Sequence, residues 1–473
     1  MSRPLISFAD RSRESMRLPN QRMALMHTTA VLTAQRRAGI AAEPTWSDLT
    51  ARSQALRRHT LANLGFYLEQ LERALQARGA RVIWARNSAE ACQAIVALAQ
   101  RPGATQVVQT KSPLTQEIGL AGALQRVGLT LHALNQGEFA AELAGQRPTH
   151  PNAGIAHLRI DDLVRVLNAR LDMPVFLNAD AASRVIRGRV RQAALQSRLV
   201  VLGVDFAVAE TGTLALFNDQ GDVRLASALA PMQAAIMGLE QVVPTLEDLR
   251  LLQRVHTRSA SGRATPTYVE LLSGAASAER EFYLILVDNG RTAMLAGAEA
   301  DMLACIHCGA CVDVCPVARR VGSQPYAWSY PGPVGAVMGS LSLPVQFADA
   351  ANASTLCGAC RTVCPVGIDL PQFLLRARAR PRARPVGSRL RPSRLVGRAL
   401  LSAHRPALAR YPLLSVVNRV GRLLVGGRLT RRWLAPWLWR WTSARDLPLP
   451  AAETFRMRWA SQHLPQTAQA PHD

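Results

Sequence analysis

Apolar side chains recur at alternating steps of three and four through Leu61, Leu64, Leu68, Leu71 and Leu75, the spacing that lines one face of an α-helix. This predicts an amphipathic helix following Thr45, and Gly79 stands where such a helix would stop. Residues 1–44 before it read as an arm with some helical character. Strand-like and helix-like segments then alternate. Arg81–Trp84 reads as a strand ahead of a helix Ala89–Gln100, with Ser88 as its cap and Cys92 on its apolar face as an inert core thiol. Gln106–Gln109 reads as a strand before a helix opened by Ser112 and Pro113, where the fixed φ of proline suits the first helical position. Thr130–Leu134, Leu199–Ala207, Gly212–Asn218 and Glu281–Val287 are further strands. Such alternation predicts an α/β fold class with a largely parallel sheet, over residues 45–298.

The pattern changes after residue 298. Seven of the eight cysteines fall between Cys305 and Cys364, in a segment also carrying Pro325, Pro331, Gly332 and Pro333. They form two runs, Cys305-x2-Cys308-x2-Cys311-x3-Cys315-Pro316 and Cys357-x2-Cys360-x3-Cys364-Pro365. A four-iron, four-sulfide cluster needs four soft thiolates, and in two-cluster ferredoxins the last cysteine of each run serves the other cluster. Applied here, Cys305, Cys308, Cys311 and Cys364 hold a first cluster, and Cys315, Cys357 and Cys360 a second. The position completing the second run is Ser354, so the second site lacks one thiolate. It reads as a three-iron cluster, or as a four-iron cluster whose last iron takes a non-cysteine or labile ligand. Zinc also uses Cys-x2-Cys pairs, but normally two pairs rather than a triplet followed by Cys-Pro. Residues 299–376 are therefore expected to form a 4Fe-4S ferredoxin-type module for electron transport.

Charge and length refine this picture. A chain of 473 residues is long for one core and implies two or three domains. Of the net charge of +23, most lies in the final hundred residues, where arginine is frequent and only Asp446, Glu453 and Asp473 oppose it. Residues 377–473 thus read as a basic helical appendage, opening with the linker RARARPRARPVGSRLRPSR and carrying Trp433, Trp437, Trp439 and Trp441. Such a tail suits a peripheral membrane contact, an acidic subunit or simply a solvated surface. Clustered cysteines do not suit a secreted disulfide framework, and MSRPLISFADRSRESMRLPNQ has no apolar leader core. A cytoplasmic location is expected, with the inner membrane face as a possible station.

Several blocks resemble the lactate utilization protein B family, the iron–sulfur protein of bacterial L-lactate oxidation. They include HTLANLGFYLEQLE, TKSPLTQEIGL, VDFAVAETGTLAL, QVVPTLEDL, CIHCGACVDVCPV, YPGPVGAV and STLCGACRTVCPVGIDLP. The resemblance implies a lactate-utilisation α/β domain akin to sugar-phosphate isomerases and coenzyme A transferases, then a helical two-cluster ferredoxin module and a family-specific tail. It also implies two companion subunits, one rich in cysteine motifs and one a smaller α/β homologue, together oxidising L-lactate to pyruvate. Nucleic acid is not an expected partner. Pro231-Met232-Gln233-Ala234 departs from the family in lacking a histidine beside Gln233.

For the substrate, Glu210-Thr211-Gly212-Thr213 is a polar turn between apolar strands, where hydroxyls and free amides could hold a carboxylate. An ordinary hairpin turn has the same composition. Lys111-Ser112 at a helix start is a second anion candidate. His150 and His157 have the titration range for acid–base work but read more readily as structural. Asp288-Asn289-Gly290-Arg291 either organises the junction with the cysteine module or is a plain turn. Oxidising a 2-hydroxy acid moves two electrons while a cluster carries one, and no glycine-rich dinucleotide fingerprint is present to convert them. The chain therefore reads as an electron-transfer subunit of an oxidoreductase, incomplete alone. The alternatives are a carrier for another small-molecule oxidation that docks to a membrane quinone reductase, and a regulatory module whose clusters sense oxidants.

Overall fold

The computed structural model describes residues 7–379, apart from 102–104, 172–177, 276, 278, 327–328 and 343–348, together with 453, 455, 458 and 459. The predicted basic appendage lies almost wholly outside these residues. By internal packing Met1–Ala383 form one unit and Arg384–Asp473 a second.

Six parallel strands make the main sheet: β1 (Arg81–Ala85), β2 (Gln106–Gln109), β3 (Thr130–Ala133), β4 (Leu199–Gly203), β7 (Met232–Gly238) and β10 (Glu281–Val287), in the order β1-β10-β7-β4-β2-β3. Its central strands are covered on both faces, so β4 and β7 are buried along nearly their whole length. This is why they read as unbroken apolar runs rather than as alternation. A smaller sheet holds β5 (Phe206–Val208), β6 (Thr213–Asn218), β8 (Val242–Val243) and β9 (Tyr268–Leu272), in the order β8-β5-β6-β9. The strand expected at Leu199–Ala207 is thus two strands. Val204 still donates to the Ile236 carbonyl of β7, but Asp205 donates to Ala215 of β6, so the chain changes sheets there.

The leucine pattern is likewise shared by two helices, α3 (Trp46–Ala62) and α4 (Leu64–Gln76), broken at Asn63 with φ −119° and ψ 27°. The cap of the Ser88–Ala99 helix is Asn87, whose side chain accepts from the Glu90 amide; Ser88 is already helical. Ser112 caps Pro113–Glu117 as expected. Cys92 is buried, and its thiol donates to the Ile118 carbonyl at 3.2 Å.

Residues 7–44, which read as an arm with some helical character, are largely helical. They form α1 (Phe8–Met16) and α2 (Pro19–Ala41), which lie against the cysteine module. The Phe8 amide donates to Asp349, its ring meets Tyr326 edge-on at 5.0 Å, and Arg11 donates to the Pro325 carbonyl at 2.7 Å. Near its end α2 passes so close to the end of the helix Leu246–Ser261 that a Cβ on Gly39 would lie 1.9 Å from the Gly262 carbonyl oxygen. One hydrophobic core accordingly runs from Phe8 and Leu49 through Leu252 and Val255 to Ile306, Val312 and Leu374.

Candidate iron–sulfur centres and the adjoining cavity

Each cysteine run starts from a 3-10 turn, Ala300–Ala304 before the first and Ala350–Ala353 before the second, and each leads into a short helix, Ala310–Val314 and Ala359–Thr362. Between turn and helix both runs pass twice through the left-handed region, at His307 (φ 54°) and Gly309 (φ 80°), and at Leu356 (φ 55°) and Gly358 (φ 81°). These reversals, and the turns that follow each Cys-Pro, aim amides at the sulfurs. His307 donates to Cys305 Sγ at 3.4 Å, Ala318 to Cys315 Sγ at 3.5 Å and Ile368 to Cys364 Sγ at 3.3 Å. Burial raises Cys308 against the opposing backbone donation from Ala310, whereas donation from Ala359 holds Cys357 below the usual thiol range.

The thiols feel one another in two groups. Burial raises the pKa of Cys311 most, followed by the fields of Cys305, Cys308 and Cys364, with Cys360 behind them. Cys305 is raised by burial and then by Cys308 and Cys364; Cys308, pushed up to about 12, is raised by burial and then by Cys364. Cys360, pushed up to about 11 by burial, is raised next by Cys315 and then by Cys357. Among the described residues, no three His, Cys, Asp or Glu side chains stand as a ready-made site for a single metal ion. Cys305, Cys308, Cys311 and Cys364 instead line a hollow. Soft thiol donors around a space lined by amide N–H groups suit an iron–sulfur core, whose charge would offset the cost of ionising buried thiols.

Two arginines add positive charge. Arg57 on α3 is fully buried and donates to the carbonyls of Glu240, Val242, Leu303 and Ala304, which ties the α/β domain to the turn before Cys305. Burial lowers its pKa to about 10 against the opposing pull of Glu240 and Cys305. Arg36 on α2 donates to the Val363 carbonyl at 2.8 Å, and its charge is felt by Cys308 and Cys364. The junction predicted at Asp288–Arg291 is a network. Buried Arg291 pairs with Glu117 through two bonds of 2.9 and 3.0 Å and with Glu240 at 2.6 Å. Glu117 also accepts from Asn289 at 2.7 Å and from Tyr330 of the cysteine module at 2.9 Å.

The hollow lined by the four thiols is part of a single cavity of about 1070 Å³ between the α/β domain and the cysteine module, a volume that includes the space the first cluster would fill. Lys111, Glu138, Asp205, Asp222, His256 and His307 also line it. Burial raises the Glu138 carboxyl to about 7 and Asp205 to about 6, each only partly countered by Lys111. Burial, helped by Lys111 and His307, drives His256 down to about 3, so its imidazole is neutral. His307 is lowered by burial as well, and its ring lies 5.0 Å from that of Tyr330. Cys315, Cys357 and Cys360 do not border the cavity, and Cys357 is exposed.

Of the substrate candidates, Lys111 and Ser112 reach the cavity, and Glu210, Thr211, Gly212 and Thr213 do not. That turn packs on the end of α4. Gly212, at φ 63°, stands where a Cβ would come within 3.0 Å of Ala74 and Leu75 backbone atoms. Its polar groups are engaged locally: Glu210 accepts from the Leu246 amide, and Thr211 donates to Thr213, which bonds Ser273. His150 borders the cavity but bonds Asp313 at 2.8 Å with both side chains buried, and His157 bonds Thr149 at 2.7 Å. Glu138, Asp205 and His256 were not legible as site residues, because only the sheet topology brings them together. Arg57 carried a signal: it shares a helix face with the buried Leu49, Ser53 and Leu61.

Residues 68–289 match the LUD domain family and residues 301–368 a 4Fe-4S dicluster domain. An "uncharacterized electron transport protein YkgF" of Escherichia coli (strain K12) is 32% identical over 465 residues, covering 97% of each chain. Lactate utilization protein B of Bacillus pumilus (strain SAFR-032) is 32% identical over 420 residues, covering 87% of this chain and 88% of its own. That of Macrococcus caseolyticus (strain JCSC5402) is 32% identical over 437 residues, covering 89% and 90%. With its LUD domain followed by a dicluster iron–sulfur module, and with these relatives along nearly its whole length, the chain belongs to the lactate utilization protein B family.

Proposed function

We propose that this chain is the iron–sulfur electron-transfer subunit of a multi-subunit complex that oxidises L-lactate to pyruvate. Cys305, Cys308, Cys311 and Cys364 would hold a first cluster, and Cys315, Cys357 and Cys360 a second. The reading rests on one observation: the four thiols of the first group border the same cavity as Lys111, His256 and His307. Clusters supply one-electron transfer. Residues of this chain that line the cavity bind and orient the substrate. The Lys111 ammonium takes the substrate carboxylate, while the two-electron step at the substrate carbon, with the hydrogen it releases, falls to a two-electron cofactor on a companion subunit. Electrons enter at the cavity and leave on the side of exposed Cys357, where a companion subunit would dock.

The test is anaerobic purification with the companion subunits, followed by titration with L-lactate while visible cluster absorbance is recorded. Lactate should bleach the wild-type complex. Lys111→Met should abolish that bleaching and leave bleaching by dithionite intact. Clusters that dithionite reduces but lactate never does would leave an electron carrier and remove the lactate assignment.

A further inference from the structure

The two cysteine runs match in backbone at the one ligand position where serine stands in for cysteine. Cys305 has φ −58° and ψ 129°, and Ser354 has φ −66° and ψ 138°. Each closes a 3-10 turn, its own amide donating back to Met302 and Ala351 respectively. Two residues on, the left-handed His307 and Leu356 point their amides back, to Cys305 Sγ at 3.4 Å and to Ser354 Oγ at 3.1 Å. Each turn is also anchored by an arginine, although at carbonyls that do not correspond in the two runs. Arg57 grips the Leu303 and Ala304 carbonyls, while Arg378 grips those of Ala351 at 2.9 Å and Ser354 at 2.5 Å.

From this repeat we infer that Ser354 Oγ is the fourth protein ligand of the second cluster, completing the set begun by Cys315, Cys357 and Cys360. The inference rests on the cluster assignment proposed above. The serine oxygen lies where the first run presents a sulfur, and it receives the same amide donation, which stabilises an anionic ligand atom. Neighbouring Thr355 is not free for the role, because its hydroxyl is bonded to Cys357. On binding, one iron–oxygen bond forms and the serine proton passes to solvent, with no change in electron count. A hard alkoxide on one iron sets this cluster apart from its all-thiolate neighbour.

The experiment uses the full chain, purified without oxygen, as wild type, Ser354→Ala and Ser354→Cys. Iron and acid-labile sulfide are counted, and EPR spectra are taken in oxidised and reduced states. Wild type and Ser354→Cys should both carry about eight irons per chain, as two four-iron clusters require. The reduced signal of the second cluster should differ in shape between them. Ser354→Ala should lose about one iron and show the signal of an oxidised three-iron cluster, with the first cluster's signal unchanged as proof of folding. A Ser354→Ala protein with the iron content and spectra of wild type would overturn the ligand and leave the two clusters standing. Wild type with only one cluster would overturn the underlying assignment, and the ligand with it.

Discussion

Arg57 offers the sharpest test of how the electron-transfer module is held to the α/β domain. Replacing it with leucine removes the donor to four carbonyls, those of Glu240, Val242, Leu303 and Ala304, at 2.7 to 3.3 Å. Burial, less the opposing pull of Glu240 and Cys305, works against the cation: lowering its pKa from 12.5 to about 10 corresponds to about 3 kcal/mol. That cost is present at every pH below about 10 and leaves with the charge. Against it stand four charge-assisted bonds, of which even the weakest class is worth ~1.5 kcal/mol each. Leucine cannot satisfy the abandoned carbonyls. The net loss should be about 3–5 kcal/mol, the range seen when a buried charged network loses one member. The assay is anaerobic denaturant unfolding followed by circular dichroism and by cluster absorbance in parallel. Arg57→Leu should lower the midpoint and release iron from the first cluster ahead of the second, because Leu303 and Ala304 immediately precede Cys305. Arg57→Lys, with one ammonium for four acceptors, should fall between. An Arg57→Leu midpoint within about 1 kcal/mol of wild type, with both clusters released together, would refute this account of the junction.

Three more predictions follow from the same geometry. The Glu138 carboxyl titrates near 7 when folded against 4.5 ordinarily, so the folded state holds the extra proton and stability falls as pH rises from about 4.5 to about 7. Glu138→Gln should therefore raise the unfolding midpoint by an amount equivalent to about 1–3 kcal/mol at pH 8 and by less at pH 5; an equal gain at both would contradict the cause. Glu117→Gln strips Arg291 of its bidentate partner and should cost about 3–5 kcal/mol in chemical denaturation, and the Glu117→Gln, Arg291→Met pair should lose more, because it leaves the buried Glu240 carboxylate without its cation. Gly39→Ala places a methyl 1.9 Å from the Gly262 carbonyl, which must force α2 away from the helix Leu246–Ser261 and lower the thermal midpoint, at a cost of about 1–3 kcal/mol or more; an unchanged midpoint would show that the crossing is looser than described.

Sequence pattern reached the parallel sheet because its strands are buried on both faces, and burial leaves an apolar signature such as Glu281–Val287. It reached the cysteine runs because thiol spacing is local. The break between α3 and α4 at Asn63 escaped it, since the leucine stripe continues across the break and apolar periodicity does not register a change of axis. The change of sheet at Val204–Asp205 escaped for a similar reason: apolar residues continue on both sides, and only the pairing partner alters. The turn Glu210–Thr213 drew attention because glycine and hydroxyls suit a bound anion, whereas its glycine serves close packing on α4. Lys111 was legible as an anion candidate, yet the groups it faces, Glu138, Asp205 and His256, come from separate elements joined only by the fold.

The central claim is that ligands are exchanged between the runs, so that the last cysteine of each serves the cluster of the other. Anaerobic EPR of Cys364→Ala tests it most directly, read beside Cys308→Ala and Cys357→Ala. Although Cys364 belongs to the second run, its variant should lose the same signal as Cys308→Ala and keep the one that Cys357→Ala removes. A Cys364→Ala spectrum matching that of Cys357→Ala would contradict the arrangement.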